Sequence, residues 1–291
     1  MTTTRPTTIR FGHSPDPDDA FMYYPLGQRL VDTGGFEFVQ VLEDIESLNR
    51  RAMRGELETT AASVHACAHL TDQYAILPCG ASMGDGYGPL VVSREAMPPD
   101  CLRSLRVAVP GLMTSAYLAL RLAVGEFRHV VVPFDRIPHA VATGEADAGL
   151  LIHEGQLTWE RDGLHRVIDL GVWWRERTGG LPLPLGVNIV RRDLGEETMR
   201  GVGQALRRAI NYALDHRGEA LAYAGGFARG LEPTLTDRFV SMYVNDLTRE
   251  MGDKGREAIR LFLEEGRRIG VIGSDACADD PVFVSLAKDS M

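Results

Sequence analysis

Short β-rich segments alternate with helical segments through the first half of the chain, and this alternation limits the fold more than any other feature. Residues 36–41 alternate apolar and polar side chains as a strand does, after a predicted strand at 8–12 and a predicted helix at 17–30. The order continues with helices at 45–54, 64–73, 115–124 and 136–143 and strands at 58–62, 90–92, 105–109, 130–132, 148–152 and 187–190. Strands separated by helices predict βαβ units and a mainly parallel sheet.

The predicted strands fall into two series, and each series can build one lobe. A glycine-rich loop at residues 79–89 separates the series, and the segment after residue 193 is mostly helical. The sequence therefore predicts an α/β protein of two lobes, with the C-terminal helices returning to pack on the first lobe. The predicted boundaries place residues 1–92 and 192–291 in lobe 1 and residues 93–191 in lobe 2.

The net charge of −9 at pH 7 narrows the possible partners. Because no basic run offsets it, this charge repels nucleic acid and anionic membrane surfaces. It also repels an anionic substrate, so a protein that binds one must attract it through a local arrangement of hydrogen-bond donors. The apolar fraction of 44% and the charged fraction of 24% are those of a globular protein.

Targeting signals and cysteine spacing bear on the compartment. The N-terminal residues have no apolar stretch of the secretory type, and no segment approaches the ~18 apolar residues that cross a bilayer. The sequence therefore predicts a cytoplasmic protein. Without CxxC spacing, a disulfide framework or zinc site is not expected. We interpret the four cysteines as small buried apolar residues: Cys67, Cys79, Cys101 and Cys277.

Two local patterns resemble catalytic or metal motifs but lack a necessary part. Residues 80–84 match the GxSxG pattern of a nucleophile elbow, which needs a helix directly after the serine. Residues 85–89, DGYGP, cannot begin a helix, so the match is rejected. His65 and His69 are one helical turn apart but have no third ligand at a matching position, so no metal site is predicted.

The acidic residues near the N-terminus could also be read as a cluster for a divalent metal. Their spacing fits a helix start better, with Asp16 as the N-cap and Pro17 as the first helical residue. Asp18 and Asp19 would then occupy the first turn, where the helix dipole favours negative charge. We interpret the cluster as structural.

Small and hydroxylated residues recur where predicted strands give way to helices, at residues 12–14, 61–63 and 113–115. Each junction pairs such residues with unpaired helix N-terminal amides, a combination that binds carboxylates or phosphates. Helix capping alone would explain any one junction. In an open α/β sheet, however, all three meet at the carboxyl ends of the strands. Together they predict a site for a small carboxylated molecule.

His153 follows the apolar run at residues 148–152 and stands at the same edge of the sheet. An imidazole titrates near neutral pH and can take a proton from a substrate hydroxyl group or acidic carbon. A structural role for this histidine stays open on these grounds alone. Glu154 would point elsewhere in an extended chain and is the weaker candidate.

The chain resembles the 1,4-dihydroxy-6-naphthoate synthases of the futalosine route to menaquinone over residues 8–265. The segments that carry the resemblance are GHSPDPDDAF at 12–21, LEDIESLN at 42–49, GPLVV at 88–92, VAVPG at 107–111, LIHE at 151–154, DLGVWW at 169–174, LPLPLG at 181–186 and RRDLG at 191–195.

The resemblance implies a cytoplasmic enzyme with the fold of a periplasmic binding protein and a ligand cleft between its lobes. It implies a carbon–carbon lyase that converts cyclic dehypoxanthine futalosine to 1,4-dihydroxy-6-naphthoate, with no metal or organic cofactor. It assigns His153 as the proton acceptor. The residues that it places in the substrate site are Ala61, Ala62, Ser63, Thr114 and Ser115.

Two alternatives remain at this stage. The first is the chorismate dehydratase of the same pathway, which shares the fold and part of the motif pattern. The second is a non-catalytic solute-binding protein that serves transport, although the missing signal peptide argues against it. The sequence leaves the oligomeric state open.

Overall fold

The computed structural model describes residues 6–274, 276–277 and 280–286, and the strands within them are short. In chain order they are β1 (Thr7–His13), β2 (Phe36–Leu42), β3 (Thr59–Ser63), β4 (Tyr74–Ile76), β5 (Ser82–Gly84), β6 (Leu90–Ser93), β7 (Arg106–Val109), β8 (Arg128–Val131), β9 (Ala148–Leu151), β10 (His165–Asp169) and β11 (Leu183–Arg191).

The helices fill the intervals between these strands and the region after β11. They are α1 (Pro17–Gly27), α2 (Ile45–Met53), α3 (Val64–Cys67), α4 (Ser115–Val124), α5 (Ile137–Ala142), α6 (Gly155–Thr158), α7 (Leu170–Thr178), α8 (Glu196–Asp215), α9 (Arg217–Ala224), α10 (Pro233–Tyr243), α11 (Asp246–Arg249) and α12 (Gly252–Arg268). Short 3₁₀ turns occur at Pro99–Ser104, Phe134–Arg136, Trp159–Asp162, Arg192–Leu194 and Gly225–Phe227.

The strands form two sheets, one for each lobe. The first sheet has the order β2-β1-β3-β11-β4, with β5 paired to β11, and the second has the order β10-β6-β9-β7-β8. This arrangement confirms the predicted two-lobed α/β fold. The strand β6 belongs to the second sheet and β11 to the first, so the chain changes lobes before each of them. The lobe boundaries at residues 92 and 191 stay predictions.

The predicted mainly parallel sheet is wrong, because both sheets are mixed. β1 runs parallel to β2 and β3, and β7 runs parallel to β8 and β9. β11 is antiparallel to β3, β4 and β5, and β6 is antiparallel to β9 and β10. The antiparallel pairs arise because strands at the crossings between lobes enter each sheet from the opposite direction.

Helix α8 shows why the C-terminal region packs on the first lobe. Its side chains at helical spacing, Val202, Leu206, Ile210 and Ala213, are fully buried, as the periodic pattern predicts. They join a core with Ile9 of β1 and apolar residues of α1. Helices α8, α9 and α10 all contact α1. The C-terminal helices therefore hold α1 and the loop before it, where several site residues lie.

Several predicted elements differ from the structure. The helix expected at residues 64–73 ends at Cys67, and tight i→i−3 bonds such as His69 N to Ala66 O continue the chain as turns. The strands β4 and β10 and the helix α7 were not predicted. Two cysteines are buried, but Cys101 is exposed and Cys277 half-buried, so the prediction that all four are buried is wrong. In the described part of the chain, no helix has the length and apolar character that crossing a membrane requires.

Candidate active site

A cleft lies between the two lobes, where a small molecule can bind. Both lobes line it, through the ends of β1, β3 and β9 and the start of α4. The polar lining residues include Ser14, Asp18, Ser63, Thr114, Ser115 and His153. The structure thus brings the three strand-to-helix junctions and the histidine singled out in the sequence to one place.

A buried asparagine, Asn49, forms hydrogen bonds with the second strand-to-helix junction, residues 61–63. Ser63 N donates to Asn49 Oδ1 over 2.8 Å, and Asn49 Nδ2 donates to Ser63 Oγ over 3.0 Å. Ala61 and Ser63 line the cleft, while Ala62, on the opposite face of β3, is fully buried in the hydrophobic core. This contact of Asn49 could not be predicted from local patterns, because its partner Ser63 lies on another element.

The third junction begins helix α4. Thr114 is the N-cap, and its Oγ1 accepts a hydrogen bond from Tyr117 N over 3.2 Å. Ser115 Oγ donates to Leu185 O over 2.5 Å and accepts from His65 N. The amides of Ser115 and Ala116 have no acceptor inside the helix, and both residues line the cleft. This helix start can therefore offer donors to an anion.

The prediction that all three junctions carry unpaired amides is wrong for two of the residues. Ser14 N and Ser14 Oγ both donate to Asp19 Oδ2 over 2.8 Å, and Ser63 N is bound by Asn49. These donors are satisfied inside the protein because a buried amide without an acceptor is unfavourable. The donors free for a ligand concentrate at α4.

His153 forms a dyad with Asp16. His153 Nδ1 lies 2.9 Å from Asp16 Oδ2, and His153 Nε2 is buried without a partner among the described residues. Asp16 occupies the N-cap position of α1 as predicted, but its carboxylate makes no capping hydrogen bond. It is turned to the histidine instead. The interpretation of Asp16 as a structural cap is therefore wrong for its side chain.

An arginine from the loop before α10 completes the cluster. Arg229 Nη1 donates to Asp16 Oδ1 over 2.8 Å and to Glu154 Oε1 over 2.7 Å. Its guanidinium lies 5.0 Å from the ring centre of Phe134, which packs edge-on against His153 at 4.6 Å. Glu154 was expected to point away in an extended chain. It instead begins a helical turn, with φ −62° and ψ −20°, and so reaches Arg229.

The backbone is strained at two residues of this cluster. His153 has φ 55° and Arg229 has φ 47°, in the left-handed region that side chains other than glycine rarely occupy. Such conformations cost about 1–3 kcal/mol each and persist where the surroundings impose them, often at functional sites. Here the strain accompanies the direct contacts that both residues make to Asp16.

The charges of the cluster shift the pKa values of both members of the dyad. Burial lowers the pKa of His153, but the charge of Asp16 and its hydrogen bond outweigh burial and raise the pKa from 6.5 to about 9. Burial raises the pKa of Asp16, but His153 and Arg229 outweigh it and hold that pKa well below 3.8. At neutral pH the free dyad is therefore mostly an ion pair of imidazolium and carboxylate.

The raised pKa of His153 predicts a pH-dependent contribution to stability. Since the folded pKa lies above the unfolded value of 6.5, the contribution is complete below pH 6.5 and disappears as pH rises through about 9. The shift corresponds to about 3 kcal/mol. Denaturant unfolding of the wild type and of His153→Asn should therefore show a stability difference that shrinks by this amount between pH 6 and pH 10. A difference that is constant with pH would contradict the ion pair.

The other sequence motifs have ordinary surroundings. Ser82 lies in strand β5, and strand β6 is the next element, as expected for a sequence that is not a nucleophile elbow. Burial lowers the pKa of His65 to about 4, and its Nδ1 lies 3.3 Å from Thr114 O. Within the described ranges, no group of three or more His, Cys, Asp or Glu side chains could hold a metal ion.

The comparisons with known proteins point to one family. Two curated relatives carry the name 1,4-dihydroxy-6-naphthoate synthase. The protein from Thermus thermophilus is 45% identical over 277 residues, covering 95% of this chain and 99% of the relative. The protein from Streptomyces coelicolor is 37% identical over 282 residues, covering 93% and 98%.

A solved structure from Candida albicans, described as a generic periplasmic binding protein fold, superposes with a TM-score of 0.67. It covers 97% of this chain and 99% of its own, and its 11% identity makes it evidence for the fold alone. This likeness confirms the predicted fold type. The model of the family described as menaquinone biosynthesis matches residues 9–268. By this match and the near-complete relatives, the chain belongs to the menaquinone biosynthesis family that contains the 1,4-dihydroxy-6-naphthoate synthases.

Proposed function

We propose that this protein is a 1,4-dihydroxy-6-naphthoate synthase, a carbon–carbon lyase acting on cyclic dehypoxanthine futalosine with His153 as general base. The identity to two relatives of that name supports the overall reaction. The observation that carries the assignment of the base is the His153–Asp16 dyad in the cleft. Because the Asp16 carboxylate accepts a hydrogen bond from Nδ1–H of His153, Nε2 is the nitrogen of the neutral ring that can accept a proton.

The start of α4 is the proposed anchor for the substrate carboxylate. The free amides of Ser115 and Ala116 and the nearby positive end of the helix dipole attract an anion despite the net charge of −9. Ser63, Thr114, Ser115 and the alanines Ala61 and Ala62 are the proposed substrate-binding residues. For Ala62, whose side chain is buried in the core, any contact would be through its backbone.

The proposed reaction begins with removal of one hydroxyl proton by His153 Nε2. The cyclic adduct then collapses, the bond to the ribose-derived fragment breaks, and formation of the aromatic naphthalene ring favours the products. Since the pKa of His153 is about 9, the reactive enzyme is the fraction whose imidazole has lost its proton. Both lobes line the cleft, and their closure around the substrate would exclude water from the intermediate.

We also propose that the enzyme works in the cytoplasm on a small carboxylated metabolite. All four cysteines are free, as expected of a protein in a reducing compartment. The division into lobes at residues 92 and 191 is part of the same proposal, since movement of one lobe against the other would open the cleft to the substrate.

The direct test is turnover by the purified protein. Incubation with cyclic dehypoxanthine futalosine should release 1,4-dihydroxy-6-naphthoate, identified by mass spectrometry and by its naphthalene absorbance. Chorismate, supplied in a parallel reaction, should remain unchanged. Dehydration of chorismate alone would identify the protein as the other enzyme of the pathway. Binding of the cyclic compound without any turnover would favour a solute-binding protein.

A further inference from the structure

A second carboxyl group in the cleft differs from its neighbours in having a buried oxygen without a hydrogen-bond partner. Asp18 lies in the first turn of α1, lines the same cleft as His153 and is 9% exposed. Its Oδ1 is buried and meets no hydrogen-bond donor among the described residues. Asp16 is bound by His153 and Arg229, and Asp19 accepts two hydrogen bonds from Ser14. Asp18 is therefore the acid of this helix start whose charge is least compensated.

The surroundings of Asp18 favour its neutral form. Burial raises its pKa well above 3.8, and the nearby carboxylates of Asp19 and Asp16 raise it further. His153 and the first turn of the helix act in the opposite direction and are outweighed. A protonated carboxyl group beside an ionised one in the same site is the arrangement that supplies both an acid and a base.

We propose that Asp18 is the general acid that works with His153, and that it gives its proton to the ring oxygen that becomes a hydroxyl group of the product. This inference rests on the proposed function and extends it. The product has two ring hydroxyl groups, so an oxygen that is a ketone before aromatisation must gain a proton. A neutral acid in the cleft that holds the base can supply it.

With these two residues, protons and electrons are conserved in the proposed reaction. His153 Nε2 takes the proton of a substrate hydroxyl group, whose carbon–oxygen bond becomes a carbonyl. The carbon–carbon bond to the ring breaks, and its electron pair moves through the ring onto the ketone oxygen. The Asp18 proton forms the new O–H bond there. One proton leaves the substrate and one enters it, so no oxidant or reductant is needed, and the enzyme resets by exchange with solvent.

The groups around Asp18 determine how its proton is held. The titratable residues that interact with it are Asp16 at the N-cap of α1, Asp19 and Tyr23 on α1, His153 after β9, and Tyr243 of α10. The charged residues beyond them are Arg229, which binds Asp16, and Glu154, which binds Arg229. Burial raises the pKa of both tyrosines well above 10, so neither competes as a neutral-range acid. Asp18 and His153 are therefore the pair expected to determine the pH profile.

The test replaces Asp18 by asparagine, which has the shape of the neutral acid but no proton to give. Asp18→Asn should lower kcat by about 10²-fold and leave KM within a few-fold. In the wild type, kcat/KM should fall at low pH, where His153 keeps its proton, and at high pH, where Asp18 has lost its own. In Asp18→Asn the alkaline fall should be absent. Asp253→Asn, on the exposed surface of α12, is the matched control.

Two results would overturn the assignment of Asp18. One is a kcat for Asp18→Asn within about fivefold of the wild type, and the other is an unchanged alkaline fall in that variant. Thermal unfolding and product binding establish that the variant is folded, and Asp18→Ala, measured in the same way, should show the same loss. If the wild type itself converts no substrate, the proposed function fails; if the wild type is active and only the Asp18 results disagree, the function stands without this acid.

Discussion

Replacing His153 by alanine is expected to lower kcat by about 10³- to 10⁴-fold while the Kd of the substrate changes by only a few-fold. The loss in kcat follows from removal of the general base and therefore of its dyad with Asp16, since a general base contributes a factor of about 10²–10⁴ to the rate. The small change in Kd follows from the geometry, because the proposed carboxylate anchor is at the start of α4 and does not involve His153. Single-turnover kinetics and calorimetric titration measure the two quantities separately.

The control for this variant is His139→Ala, which removes an exposed histidine of α5. It should retain wild-type kcat and Kd, so that any loss in His153→Ala reflects the site. Circular dichroism at pH 7 checks folding, since Arg229 remains as an ion-pair partner of both Asp16 and Glu154. A His153→Ala enzyme that keeps kcat within a few-fold of the wild type would show that another group takes the proton.

The location of the site could be predicted from the sequence because it depends on a general property of α/β sheets. Strand ends that carry small and hydroxylated residues, such as Ser63 and Ser115, meet at one edge wherever the chain places them. His153 could be found in the same way, as a titratable residue directly after an apolar strand. Those inferences need only the order of strands and helices, which local patterns give well in the first half of the chain.

The partners of His153 could not be predicted, since they depend on contacts between distant parts of the chain. Asp16 has the local pattern of a helix cap, and nothing nearby in sequence indicates that its carboxylate turns to a residue 137 positions away. Arg229 lies still farther along, in a loop whose path depends on α9 and α10 packing against α1. The mixed sheets were missed for the same reason, because strand direction at a lobe crossing is set by tertiary structure.

Glu154 shows how one backbone angle can decide a prediction about a side chain. In an extended chain, neighbouring side chains point in opposite directions, and Glu154 would have faced away from the site. The left-handed conformation of His153 breaks that alternation. The chain then starts a helical turn that brings Glu154 to Arg229, which also binds Asp16. The left-handed conformation of His153 therefore allows Arg229 to bind both acids, Asp16 and Glu154.

Asp16→Asn is the variant with the second largest expected effect, a loss of about 10²- to 10³-fold in kcat. The asparagine amide can donate to His153 Nδ1 and so stabilise the tautomer with hydrogen on Nε2, which cannot accept a proton. Removing the carboxylate also removes the largest effect that raises the pKa of His153, so burial should bring that pKa below about 9. Arg229 keeps Glu154 as its partner, which limits the structural change.

Nitrogen-15 NMR of His153 separates this positioning role from a purely structural one. In the wild type, Nδ1 should carry hydrogen throughout the titration, with a pKa of about 9. In Asp16→Asn, the pKa should fall and Nδ1 should lose its hydrogen in the neutral ring, in parallel with the loss of kcat. Asp253→Asn should change none of these values. If Asp16→Asn lost activity with the tautomer and pKa of His153 unchanged, Asp16 would stabilise the fold without orienting the base, and the dyad would not explain catalysis.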